Sequence, residues 1–181
     1  MKSWTLLNEA ILGWVKIVRG QPGWAPHFTL SLPGLVSALV LFATFAFLVV
    51  VIASFSVGVP TVSGFILVML AQGLAVVALV LGVKATQLAV PSAAPLPHIL
   101  VPGVYALVFY LALGTLFALI GGPLLIVLWI ALAFLLFRLG QVVAGWTIGV
   151  SAAFAVLTVT LLVGLPMTLY MLTGPLAASA A

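Results

Sequence analysis

Long apolar segments almost free of charge run through this chain, and they constrain its fold more than any motif does. Five can be drawn: about Gly34–Ser56, Thr61–Val83, Ile99–Ile120, Pro123–Phe137 and Val143–Leu165. As a helix, a stretch of roughly 20 apolar residues matches the ~30 Å hydrocarbon core of a bilayer. The fold expected is all-α, a polytopic membrane protein with five transmembrane helices. The run from Ile99 to Phe137 is two spans, since one helix of that length would reach about 58 Å at ~1.5 Å per residue. Gly121, Gly122 and Pro123 supply a hairpin in its middle.

The cations orient this arrangement. Lys2, Lys16 and Arg19 precede the first span, Lys84 separates the second from the third, and Arg138 separates the fourth from the fifth. With five crossings these regions share one face, which the positive-inside rule makes cytoplasmic. The N-terminus is then inside and Ala181 outside, in what the resemblances below suggest is a bacterial inner (cytoplasmic) membrane.

Composition removes several function classes. With 66% hydrophobic and 3% charged residues, and a mean hydropathy of +1.52, the chain has too little charge to cover a soluble domain. Its net charge of +4 is an orientation signal and an attraction to anionic headgroups. Nucleic-acid binding needs a denser basic surface with stacking aromatics, so no nucleic-acid partner is expected. The absence of cysteine excludes disulfides and thiolate chemistry. Glu9 is the only acidic side chain, which excludes paired-carboxylate catalysis and acid-rich metal sites. No ionisable residue lies within a span, so the usual marker of a proton relay is missing. No enzyme activity is expected.

Residues 1–33 form the first unit. Ser3–Val18 reads as an amphipathic helix, with Trp4, Leu7, Ile11, Val15 and Val18 on the apolar side and Lys2, Asn8, Glu9, Lys16 and Arg19 on the polar side. Its length and flanking charges suit the membrane interface; packing on the chain's own helix ends is the plainer alternative. Lys2 is followed by mixed residues, not by a short apolar core and cleavage site, so the first span is expected to be retained. Gly20–Pro33 breaks the helix with prolines and carries Trp24, His27 and Phe28 at headgroup level. Residues 34–172 are the five-helix domain, with an irregular loop from Ala85 to Pro97, and 173–181 are a short extracytoplasmic tail.

Candidate sites are few. His27 and His98 each precede a span on the same side, and neutral imidazole suits axial ligation of haem or a chlorophyll-type pigment. Two ordinary interfacial histidines beside Pro26 and Pro97 are the simpler reading. Trp4, Lys16, Arg19, Trp24, Lys84 and Arg138 are assigned to the membrane interface. Small residues form two faces for close helix packing: Gly145 and Gly149, and Ala71, Ala75, Ala78 and Gly82.

The plan of a cytoplasmic N-terminal segment before five packed spans resembles the Yip-type membrane protein family, in hydropathy, over Gly34 to Leu172. The start also resembles a group of small uncharacterised bacterial inner-membrane proteins. In these a basic amphipathic segment ends in Arg-Gly-x-Pro and an aromatic-x-Leu-Ser stretch enters the first span; here they are Arg19–Pro22 and Phe28–Ser31. Neither resemblance implies a site residue or an activity.

Together these features lead us to expect a non-catalytic accessory or structural subunit of a larger membrane complex, with membrane lipids and other transmembrane subunits as partners. A passive channel or carrier for a small neutral or lipid-like molecule is the next reading, and a pigment- or haem-binding subunit the third.

Overall fold

The computed structural model describes residues 2–90, 94–120 and 124–178, with side chains for all but 2–4, 56–57, 119–120, 124–125 and 174–178. These residues form six α-helices and no strand: α1 (Lys2–Arg19), α2 (Leu32–Val57), α3 (Val62–Ala89), α4 (Leu96–Ile120), α5 (Leu124–Val142) and α6 (Ile148–Ala178). A 3-10 turn, Ala25–His27, lies between α1 and α2. Four segments are long and apolar enough to cross a membrane: Leu32–Phe55, Val62–Ala89, Leu96–Ala118 and Ile148–Thr173. This is compatible with a multi-pass membrane protein. Ile126–Val142 is a shorter apolar helix.

Local chemistry sets the helix ends. The Ser31 hydroxyl accepts from the Gly34 amide at 3.3 Å, and Pro33 occupies the first turn of α2, where its missing N–H costs nothing. Gly58 (φ +95°) ends α2, and Thr61 caps α3 by accepting from the Gly64 amide at 3.2 Å. Between α5 and α6, Gly145 turns the chain in a left-handed conformation (φ +69°). The Thr147 hydroxyl then accepts from the Val150 amide.

Helix α4 is the centre. Its stretch from Ile99 to Val108 is buried on every side, while α2, α3 and α6 each bury only about a quarter of their most apolar stretch. Helix α2 lies on α4 and buries Ala38, Phe42, Ala46 and Val50, one residue per turn. Helices α3 and α5 both pack on α6 and on α4. Leu79, Val83, Leu107, Leu132, Leu136, Leu139 and Phe154 fill the interior. Because lipid is as apolar as these side chains, close van der Waals contact holds the helices together rather than release of water. Gly82 shows this: a Cβ there would collide with the Thr158 hydroxyl and lie 3.5 Å from the Phe154 ring. Gly140 likewise lets Ser151 approach.

Four boundaries differ from the sequence reading. Helix α3 continues past Lys84 to Ala89, because nothing before Pro91 breaks it and the Thr86 hydroxyl folds back onto the Gly82 carbonyl at 2.8 Å. The expected Ala85–Pro97 loop is therefore shorter, and α4 starts at Leu96 with His98 in its first turn. The last helix begins at Ile148 rather than Val143, since Gly145 and Thr147 turn and cap the chain. It runs through Pro166 to Ala178, so most of the expected tail is helical. The hairpin at Gly121–Pro123 falls outside the described residues.

Candidate functional site

The site begins with the way α1 is held. Ala10, Gly13, Trp14 and Ile17 form its buried stripe; of the face expected to bind the interface, Ile11 and Val15 stay exposed while Leu7 and Val18 are half-buried against the core. Trp14 is 4% exposed, and its indole N–H donates to the Pro102 carbonyl of α4 at 3.1 Å. A buried indole needs such an acceptor. Gly13 leaves room for Phe28, whose ring Cζ would lie 2.8 Å from a Cβ there. Phe28 in turn stacks between Trp24 and Tyr105, with ring centroids at 6.3 Å and 5.8 Å. Helix α1 thus packs on the protein itself with one part of its apolar arc and leaves the adjoining part uncovered.

Its C-terminus is closed by two bonds, Gly20 N–H to the Ile17 carbonyl at 3.0 Å and Gln21 N–H to the Lys16 carbonyl at 2.9 Å. This is a Schellman motif, and Gly20 (φ +67°) supplies the left-handed residue it requires. Gly20 also admits Arg138, since a Cβ would stand 2.7 Å from Nη2 of that side chain. The Lys16 ammonium donates to the Gly23 carbonyl at 3.1 Å, tying the linker back onto α1.

Between α1, α4 and α5 lies an open groove of about 430 Å³, lined by Ile11, Trp14, Val15, Val18, Arg19, Phe109, Leu113 and Leu135. That size is within the ~300–1,000 Å³ usual for small-molecule sites. Its walls are apolar except at Arg19. Arg138 follows Leu135 by one turn of α5, and its Nη2 rests against Gly20, the residue after Arg19. Arg138 donates through Nη1 to Gln141 at 3.0 Å, while its buried Nε has no acceptor among the described residues. The Glu9 carboxylate is elsewhere, hydrogen-bonded to His27 Nδ1 at 2.7 Å.

The other candidates separate. The Glu9 carboxylate holds His27 through Nδ1 and leaves Nε2 as the ring position for a further partner. His98 is half-buried in the first turn of α4. Ala75, Ala78 and Gly82 lie buried on α3 and Ala71 is half-buried; Gly82 meets Phe154 and Thr158 of α6. Gly145 and Gly149 do not form a packing face within the chain. Gly145 precedes α6, and nothing lies within 4 Å of a Cβ at either residue. Lys84 is exposed on α3, Trp24 is half-buried against Phe28, and the Trp4 side chain lies outside the described residues. Ser37, Thr44, Ser54 and Thr115 each return a hydroxyl to the carbonyl one turn back, at 2.8–3.0 Å, so they line no polar path. Trp129 packs on Tyr110, with ring centroids 5.2 Å apart.

Sequence reasoning missed Trp14 and the groove. The Arg19–Gly20 junction carried a readable sign, a glycine just past the last helical residue. The groove carried none, because three helices contribute to it. No protein-family model, curated protein or solved structure matches this chain.

Proposed function

We propose that this chain is a non-catalytic integral membrane protein acting as an accessory or structural subunit of a larger membrane complex. In this reading it sits in a bacterial inner membrane with its N-terminus in the cytoplasm. Helix α5 then completes five crossings: its 19 residues span about 28 Å at ~1.5 Å per residue, close to the ~30 Å core. Lys16, Arg19, Lys84 and Arg138 fall on the inner face.

The observation that carries the proposal is the open small-residue surface of α6. Gly149 and Gly164 have nothing within 4 Å of an added Cβ, and Ala152 and Ala153 beside Gly149 are exposed. Such positions allow another helix to approach closely, the main source of helix association in lipid. The filled interior, and the hydroxyls of Ser37, Thr44, Ser54 and Thr115 turned back to their own helices, favour this role over passage of a solute. Extraction of the tagged chain in a mild detergent should bring defined transmembrane subunits with it. A partner-free monomer in native lipid and in several mild detergents would refute the proposal.

A second reading rests on the Glu9–His27 pair. A carboxylate on Nδ1 is the arrangement that fixes an imidazole for ligation through Nε2. A haem or chlorophyll-type band in the same gentle extract, abolished by His27→Ala, would move the assignment to a pigment-binding subunit.

A further inference from the structure

We propose that the groove between α1 and the α4–α5 pair is a binding site for one anionic phospholipid. Its phosphate sits at Arg19 and Arg138, and an acyl chain lies along Ile11, Val15, Phe109 and Leu113. This site does not depend on the accessory-subunit reading.

The groove has the amphipathic shape of such a lipid. Arg19 lines the groove at the C-terminal end of α1, and Nη2 of Arg138 rests against Gly20, the next residue in the chain. The rest of the lining is aliphatic and aromatic. Charge points the same way. The only acidic side chain is Glu9, and it is held by His27, so neither arginine has a carboxylate to pair with among the described residues. Arg138 is half-buried and donates through Nη1 to the neutral amide of Gln141; a partly buried guanidinium gains from a counter-charge. Guanidinium is the cation best matched to phosphate oxygens, through paired parallel N–H bonds. Lys16, the nearby ammonium, is turned to the Gly23 carbonyl instead. A carboxylate from another protein would answer the charge but leave the apolar channel open. A free phosphate would do the same; a phospholipid satisfies both parts.

The test uses the full chain in neutral detergent, with native mass spectrometry counting retained molecules. The probes are phosphatidylglycerol, phosphatidylcholine with the same acyl chains, and glycerol 3-phosphate. One phosphatidylglycerol should be retained, preferred about tenfold over phosphatidylcholine, the ratio expected from one charge-assisted contact. Arg19→Gln should remove that preference, while Lys84→Gln, an equal loss of charge on α3, should keep it. Val15→Trp fills the groove and should displace the lipid; both residues are exposed, so these variants fold. Equal retention of the two lipids, or retention indifferent to Arg19→Gln and Val15→Trp, would overturn the proposal. So would glycerol 3-phosphate bound as tightly as the lipid, which marks a site for free anions. A polypeptide crosslinked through position 15 in native membranes, where lipid should be, would do the same.

Discussion

Adding one methyl group at Gly82 tests whether α3 and α6 are held by close approach. Gly82→Ala would raise the helical preference of α3 by about 1 kcal/mol. Against that, the new Cβ collides with the hydroxyl of Thr158 and lies 3.2 Å from its Cβ. Thr158 is β-branched, with little freedom at χ1, and is fully buried, so the helices must separate. Overpacking of this kind costs about 1–3 kcal/mol, which leaves a net loss of up to roughly 2 kcal/mol. Thr158→Ala should be mild, because its buried hydroxyl has no partner to lose among the described residues. Combining the two should restore most of the stability, a coupling of at least about 1 kcal/mol. Reversible unfolding by sodium dodecyl sulfate from mixed micelles, followed by helicity and tryptophan emission, would measure all four proteins. A stabilising Gly82→Ala, or effects of the two substitutions additive within about 0.5 kcal/mol, would refute the close-approach argument.

Three further outcomes are expected. Trp14→Phe should loosen α1 by about 1 kcal/mol, the value of its bond to the Pro102 carbonyl. Trp14→Ala should cost about 3–5 kcal/mol, seen as faster hydrogen exchange in α1 with α4 still protected. Gly20→Ala should cost about 1–2 kcal/mol through its left-handed backbone and displace Arg138; fraying at residues 16–21 by hydrogen exchange would show it. Gly149→Leu enters open space and should change the stability of the isolated chain by no more than about 0.5 kcal/mol, while reducing recovery of partner subunits from membranes.

Much of the helix layout was legible because lipid demands uninterrupted apolar length, and the prolines and glycines near residues 22–33 and 58–60 mark clear breaks. Where caps rather than breakers decide, the sequence says less. Val143 and Ala144 look like the start of a span, but Gly145 and Thr147 postpone it. The inward face of α1 was hidden for a different reason. Its apolar arc is wide, and which part turns inward depends on Pro102, 88 residues away. The Gly145–Gly149 spacing suggested a helix face because spacing carries no information about whether the first residue is helical. The closeness of Arg138 to the Arg19–Gly20 junction was likewise invisible, since it arises only once α1 has docked.

The central claim is that this chain works as a subunit among other membrane proteins. Native mass spectrometry of the tagged chain, extracted gently from its own membranes, tests it most directly, with an absorption spectrum of the same fraction. A colourless complex of fixed stoichiometry with other transmembrane subunits, weakened by Gly149→Leu, is expected. A stable monomer without partners, in native lipid and across mild detergents, would contradict it.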